Sequence, residues 1–342
     1  MTQSVSLLPE WAEQAAVLMA WPHESTDWQP WLAAIQQDYV ALAAAIAREV
    51  PPIILCQDDA HRDLILQQLG DRCEHPPHLL IAPYNDTWCR DYGPITLGAA
   101  GKVQMLDFCF NGWGDKYDAG LDNQINRSIA PVWQADLTTL DFELEGGSIE
   151  TDGQGTLLTT THCLLDSNRN NDLSDAEIEA YVLEKLGLQR ALWLHRGALF
   201  GDDTDSHIDN LARFTSADTI VYAICREPGD PHTEHLQAME AELQAFRQPN
   251  GEPYKLHGIH IPDAQFDENG KRLPGSYINF LIVNNSVIVP VFDCPQDKAA
   301  LETLQNCFPG KRILPVPGKN LIKQYGGPHC ATMQLPKGTV RL

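Results

Sequence analysis

The sequence predicts a mixed α/β fold. Short apolar runs alternate with amphipathic stretches, and strand-bearing units recur roughly every 50–70 residues, a spacing compatible with repeated supersecondary units. The strand candidates are PPIILC (51–56), KVQMLDF (102–108), GTLLTTT (155–161), DTIVYAI (218–224) and SVIVPVF (286–292). Each is rich in β-branched, aliphatic or aromatic residues and lies near turn residues.

Helices fall between them. In SDAEIEAYVLEKL (174–186), Ser174 and Glu177 form a capping box. Ile178, Tyr181, Val182 and Leu186 share one face, and Gly187 sits where a C′ glycine belongs. Similar apolar spacing appears at 31–48, 58–69, 232–246 and 296–308. The polar segment 247–275, rich in Pro and Gly, reads as a long surface loop. No low-complexity linker divides the chain, so the 342 residues are expected to form one domain, 1–342.

Composition narrows the function. Apolar residues make up 43% and charged residues 20%, the balance of a soluble globular protein. No run reaches membrane-helix length, and the N-terminus lacks the basic start of a signal peptide. Nine cysteines, an odd number, are widely spaced with no CxxC pair. That disfavours a disulfide framework and points to a reducing, cytoplasmic setting. The net charge of −22 opposes nucleic-acid binding and suits solubility or the steering of a small cation.

Four stretches carry candidate chemistry. NDTWCRDYGP (85–94) sets Trp88 beside Asp91, an aromatic face next to a carboxylate, which can hold a flat cation. LEGGSIETDGQGT (144–156) places Glu145 before two glycines, with Asp152-Gly153 as a hairpin signal. GDDTDSHIDN (201–210) hints at a calcium loop. The pattern fails, because His207 and Ile208 occupy the place of the glycine turn and Phe214 that of the closing glutamate. In a strand, His207 and Asp209 would share a face. No second ligand group stands at metal-type spacing, so acid–base chemistry ranks above metal binding, and neither metal nor organic cofactor is expected.

The fourth stretch is GGPHC (326–330), a breaker-rich turn that mounts Cys330 as a nucleophile would be mounted. His329 is its neighbour and, in an extended segment, points to the opposite side. His207 is the better-placed partner for the thiol. A protease-type Cys/His pair needs an oxyanion hole, and Asp91, Glu145 and Asp209 would oppose developing negative charge. They suit a planar cationic electrophile, a guanidinium.

These motifs make the chain resemble the agmatine deiminase family, within the wider group that includes bacterial peptidylarginine deiminases. The likeness runs from about Trp21 to Gln334. It rests on WPHESTDW (21–28), NDTWCRDYGP, FNGWGDKYD (110–118), EGGSIETDGQGTLLTT (145–160), CLLDSNRN (163–170), TDSHIDN (204–210) and GGPHCATMQ (326–334).

The resemblance implies a pentein, a five-bladed α/β propeller of ββαβ-type units with the site in a central channel. It implies Cys330 as nucleophile, His207 as general acid/base, Asp91 and Asp209 as guanidinium-binding carboxylates, and Glu145 as their acidic support. Trp88, Asp86, Asp203 and Gly327 are the candidate substrate-binding residues, with Asp86 or Asp203 for a distal ammonium. Ser206, Pro328 and Tyr325 depart from the family pattern and bear on the outer pocket. The implied reaction is hydrolysis of agmatine to N-carbamoylputrescine and ammonia. Arginine or peptidylarginine is the alternative substrate, and a non-catalytic pentein binding protein the alternative of another class. Homo-oligomerisation stays open.

Overall fold

The protein is described by a computed structural model covering residues 5–99 and 101–342. Five sheets of three or four strands share one plan: an antiparallel pair, then a crossover to a parallel third strand. The plan is plainest in the second half. Ala212–Ser216 pairs antiparallel with Thr219–Ile224, the helix His232–Ala245 crosses over, and Lys255–His260 adds parallel. Leu281–Val283, Ser286–Val291, the helix Gln296–Cys307 and Arg312–Pro317 repeat it. Glu150–Thr151, Thr156–Thr160, the helix Asp175–Leu186 and Arg190–Leu194 do the same.

Another sheet orders Ser6–Leu7, Ile95–Ala99, Lys102–Cys109 and Asp136–Glu143. The last joins the two ends of the chain: Thr332–Pro336 pairs antiparallel with Gln14–Ala20, beside Pro52–Cys56 and His78–Ile81.

Local chemistry explains the elements. The helix Asp175–Leu186 starts at the Ser174/Glu177 capping box and stops at Gly187, whose φ of 65° is left-handed. It buries Ile178, Val182 and Leu186, while Tyr181 stacks on Phe142 with centroids 4.4 Å apart. The strands Pro52–Cys56 and Thr156–Thr160 are buried at every position, which is why they read as continuous apolar or Thr-rich runs. Asp152 and Gly153 lie in the turn between Glu150–Thr151 and Thr156–Thr160, with Gly153 at φ 68°.

One expectation is corrected. The segment 247–275 is not a single loop: it contains the strand Lys255–His260 and a small hairpin of Gln265–Phe266 with Arg272–Leu273. Lys255–His260 edges its sheet and buries only Ile259, so its sequence stays polar and its periodicity faint. Among the described residues, no helix is long and apolar enough to cross a membrane. All nine cysteines are free.

Candidate active site

Each of the five units lends one segment to a common site, and each segment lies just before that unit's antiparallel pair. The helical turn Cys89–Tyr92 precedes Ile95–Ala99, and the turn Gly146–Ser148 precedes Glu150–Thr151. The turn Ile208–Asn210 precedes Ala212–Ser216; Ser276 to Asn279 precede Leu281–Val283; Gly326 to Cys330 precede Thr332–Pro336. Residues up to about 240 positions apart in sequence therefore meet.

Cys330 is buried. Its sulfur lies 3.2 Å from Asp209 Oδ2, and Asn279 Nδ2 donates to it at 2.9 Å. The Cys330 and His329 backbone N–H groups both donate to Asn279 Oδ1 at 3.1 Å. Burial, with Asp209 and Asp91 beside it, holds the thiol well above its ordinary pKa. Without a cation nearby, Cys330 keeps its proton.

The carboxylates differ in state. Asp91 Oδ1 accepts the Gly147 N–H, and Oδ2 accepts Trp113 Nε1, each at 2.9 Å. Burial pushes Asp91 up to about 6; His207 pulls it down, while Asp209 and Glu145 add to the rise. Asp209 is held low, because the His329 hydrogen bond and the His207 and Arg213 charges outweigh its burial. Glu145 is likewise drawn down to about 2 against its burial, by His207 and Arg169. Arg169 Nε reaches its two oxygens at 2.7 and 2.9 Å.

His207 is fully buried, with Nε2 3.3 Å from Glu145 Oε2 and Nδ1 3.7 Å from Asp91 Oδ1. Burial lowers its pKa, but Asp91, Cys163 and Glu145 outweigh that and hold it well above its ordinary value. That setting favours the protonated ring, the form that can act as an acid. Its Nδ1 has no hydrogen-bond partner among the described residues. The expected strand at His207–Asp209 is corrected: a 3-10 turn spans Ile208–Asn210. The turn still brings both side chains to one place. A Cβ on Gly147 would stand 2.6 Å from His207 Nδ1, 2.8 Å from Asp91 Oδ1 and 3.2 Å from Asp209 Oδ2. Only a bare glycine fits beside those three atoms.

A cavity of about 250 Å³ leads to the thiol. Asp91, Trp113 and Cys330 line its inner part, and Trp88, Asp86 and Asp203 lie along it. Trp88 packs against Trp28 at 5.7 Å between centroids and against Gly326, where a Cβ would meet its ring at 2.3 Å. Gly326 lines the cavity; Gly327 is not among its lining residues, and a Cβ there would meet Asn279 Oδ1 at 2.7 Å. Asp86 has no cationic partner among the described residues, and burial raises its pKa to about 7. Asp203 is already engaged by the Tyr117 hydroxyl at 2.5 Å and Lys116 at 4.0 Å.

Sequence reasoning missed Asn279, Trp113, Arg169 and Gly147 as site residues. Trp113 had a signal. It lies between two glycines, and with φ 59° it is a non-glycine residue in the left-handed region, a strain of about 1–3 kcal/mol kept where structure demands it. Tyr325 and Ser206 also adopt left-handed backbones, at φ 71° and 66°.

Glu145, Cys163 and His207 could surround a metal ion by distance alone, as could Glu10, Glu150 and His329. In both sets arginines already hold the carboxylates, Arg169 in one and Arg213 in the other, and their charge opposes a cation. The arrangement instead suits a delocalised cation presented to a thiol, with an acid beside it.

The family described as Porphyromonas-type peptidyl-arginine deiminase matches residues 6–336. The chain belongs to that family and, within it, to the agmatine deiminases. It is 34% identical to the agmatine deiminase of Ectopseudomonas mendocina, over 96% of this chain and 94% of that protein. Among solved structures, it is similar to a Cys-to-Ser variant of the C. jejuni agmatine deiminase with substrate bound. That match has a TM-score of 0.90 and 33% identity, covering 99% and 98% of the two chains. It is also similar to a Porphyromonas gingivalis protein provisionally called an arginine deiminase, with a TM-score of 0.93 and 43% identity over 99% and 100%.

Proposed function

We propose that the chain hydrolyses agmatine to N-carbamoylputrescine and ammonia, as a cytoplasmic enzyme with no metal or organic cofactor. One observation carries the reading: Asp91, Asp209 and His207 crowd together around Gly147, the Cys330 sulfur lies 3.2 Å from Asp209, and Asp91 and Cys330 both line the cavity. The names of the relatives support agmatine as the substrate. The free cysteines support a reducing compartment.

In this reading Asp91 and Asp209 bind the guanidinium N–H groups. The arriving cation offsets the carboxylate field that keeps Cys330 protonated, and the thiol releases its proton to solvent. The thiolate attacks the central carbon. His207 gives its proton to the departing nitrogen, and ammonia leaves an amidino-thioether on Cys330. His207 then takes a proton from water, hydroxide adds to the same carbon, and the ureido product leaves as the C–S bond breaks and the hydroxyl proton passes to the Cys330 sulfur. Glu145, fixed by Arg169, steadies the His207 ring. Trp88 covers the alkyl chain, and Asp86 receives the distal ammonium.

The five repeated units, closed by the pairing of Thr332–Pro336 with Gln14–Ala20, support a pentein propeller forming one catalytic domain over 1–342. A second reading, deimination of arginine, is favoured by the family's description and by the P. gingivalis relative. An ammonia-release assay on agmatine, arginine and an arginyl peptide decides between them. Release from agmatine that is abolished by Cys330→Ala supports the first reading. No release from any guanidine would leave only a binding protein.

A further inference from the structure

Behind the site, His329 bridges two carboxylates. Its Nδ1 lies 2.8 Å from Asp209 Oδ2 and its Nε2 2.6 Å from Glu10 Oε1. The ring is fully buried. Glu10 comes from the N-terminal segment, more than three hundred positions away, and is itself gripped by Arg213, Arg90 and Gln334. The same Asp209 oxygen that takes the His329 contact lies 3.2 Å from the thiol. A carboxylate that must accept guanidinium N–H groups needs both its rotamer and its charge held before the substrate arrives. Nothing else among the described residues donates to Asp209 Oδ2 except the substrate-facing thiol; Asn210 serves Oδ1 at 3.2 Å.

We propose that His329 is a positioning residue: with a hydrogen on each ring nitrogen, it is anchored on Glu10 through Nε2, donates its Nδ1–H to Asp209, and so keeps that carboxylate ionised and aimed at the guanidinium. The inference rests on the deiminase reading and deepens it. It also gives the N-terminal segment a role in the site. The charged and titratable groups facing Asp209 are His329, Cys330, His207, Asp91 and Arg213. Those facing His329 are Glu10, Asp209, Arg213 and Arg90. The His329 hydrogen bond opposes the effect of burial on Asp209. Its loss raises the pH at which Asp209 gains a proton and releases the substrate.

Two isosteres separate the two ends of the ring. Asparagine carries an amide nitrogen where Nδ1 stands and keeps the donor to Asp209. Glutamine carries one where Nε2 stands and keeps only the link to Glu10. The test is calorimetric binding of agmatine by the Cys330→Ala protein, alone and combined with His329→Asn or His329→Gln, across the range where carboxylates titrate. His329→Gln is expected to weaken binding about ten- to hundred-fold, the scale of one charge-assisted hydrogen bond. It also steepens the acid limb, which Asp91 alone sets in the parent, because Asp209 then gains a proton in the same range. His329→Asn is expected to keep the acid limb in place.

Equal behaviour of the two variants, with melting curves showing both folded, overturns the proposal. In the protein with His329 intact, ¹⁵N histidine shifts must show a hydrogen on Nδ1 of His329; a bare Nδ1 overturns it without any variant. An enzyme that binds agmatine but releases no ammonia from any guanidine would sink the proposed reaction and leave this comparison standing.

Discussion

Asn279 grips both ends of the Cys330 residue: its amide nitrogen donates to Sγ at 2.9 Å, and its carbonyl oxygen accepts the Cys330 N–H at 3.1 Å. The donor faces the sulfur on which negative charge must develop. Hydrogen bonds to charged groups contribute about 1.5–3 kcal/mol, so Asn279→Ala is expected to lower kcat/KM about 10- to 150-fold. Alkylation of Cys330 by iodoacetamide should slow in parallel at fixed pH. An unchanged alkylation rate would mean that the amide does not stabilise the thiolate.

Asn279 also marks the limit of what the sequence disclosed. Elements with strong periodicity or caps were legible: the helix Asp175–Leu186 through Ser174, Glu177 and Gly187, and the strands Pro52–Cys56 and Ser286–Val291 through their apolar runs. Lys255–His260 was not, because an edge strand with one buried residue has no need of an apolar face. In the site, Asp91, Glu145, His207, Asp209 and Cys330 stand in glycine-rich or charged turns that look unlike surface loops. Asn279 sits in the plain stretch SYINF (276–280), and Glu10 in an ordinary polar N-terminus. A signal existed nonetheless. Four of the five units had a candidate just before their antiparallel pair, and the unit beginning at Leu281 had none. Only the pairing register reveals the vacancy, since the irregular spacing conceals the repeat.

The Asp91 carboxyl, pushed up to about 6 mainly by its burial, sets the acid limb of activity. Guanidinium binding needs it ionised, so kcat/KM should fall as pH drops through about 6. On the alkaline side the raised His207 loses the proton that ammonia departure requires. The profile is therefore bell-shaped. Asp91→Asn removes the charge without changing size and should cost on the order of 3–5 kcal/mol, several hundred-fold or more in kcat/KM. Near-normal kinetics in that variant would mean that Asp91 does not hold the guanidinium.

Glu145 links the site to stability. Its folded pKa of about 2 lies below the ordinary glutamate value of about 4.3. A depressed carboxylate contributes stability that is present above its unfolded pKa and lost as pH falls through the folded one. Glu145→Gln leaves the buried Arg169 guanidinium with Asp205 and the weaker 3.8 Å contact to Asp166. Breaking a buried pair costs about 3–5 kcal/mol, so the variant should melt well below the parent at neutral pH. The gap in melting temperature should close as pH falls from about 4.3 towards about 2. A gap that stays constant over that range would show that the Glu145 charge is not what stabilises the fold.

Selectivity follows from where the arginines are spent. A pocket that welcomes free arginine should offer a cation to its carboxylate. Arg90 is committed to Glu10 and Gln334, Arg169 to Glu145 and Asp205, and Arg213 to Glu10 and Glu150. All three are buried away from the outer cavity. The one basic residue lining the cavity, among those described, is Lys323, whose ammonium lies over the Trp31 ring 5.0 Å from its centroid. Asp27, Asp86 and Asp203 line the same space, and Asp86 has no cationic partner among the described residues. In the proposed reading the dication agmatine finds a carboxylate at its far end, where arginine would bring a negative charge of its own. Agmatine should exceed arginine in kcat/KM by at least about two orders of magnitude, the scale of one unpaired charge in a partly desolvated site. Asp86→Asn should raise KM for agmatine at least about ten-fold with a smaller change in kcat, because the ammonium contact is made equally in ground and transition states. Asp203→Asn, whose carboxylate already has Tyr117 and Lys116, should do less. Steady-state assays of both substrates at matched ionic strength test the ranking. Equal efficiency on arginine, or a larger loss from Asp203→Asn than from Asp86→Asn, would move the distal site elsewhere in the cavity.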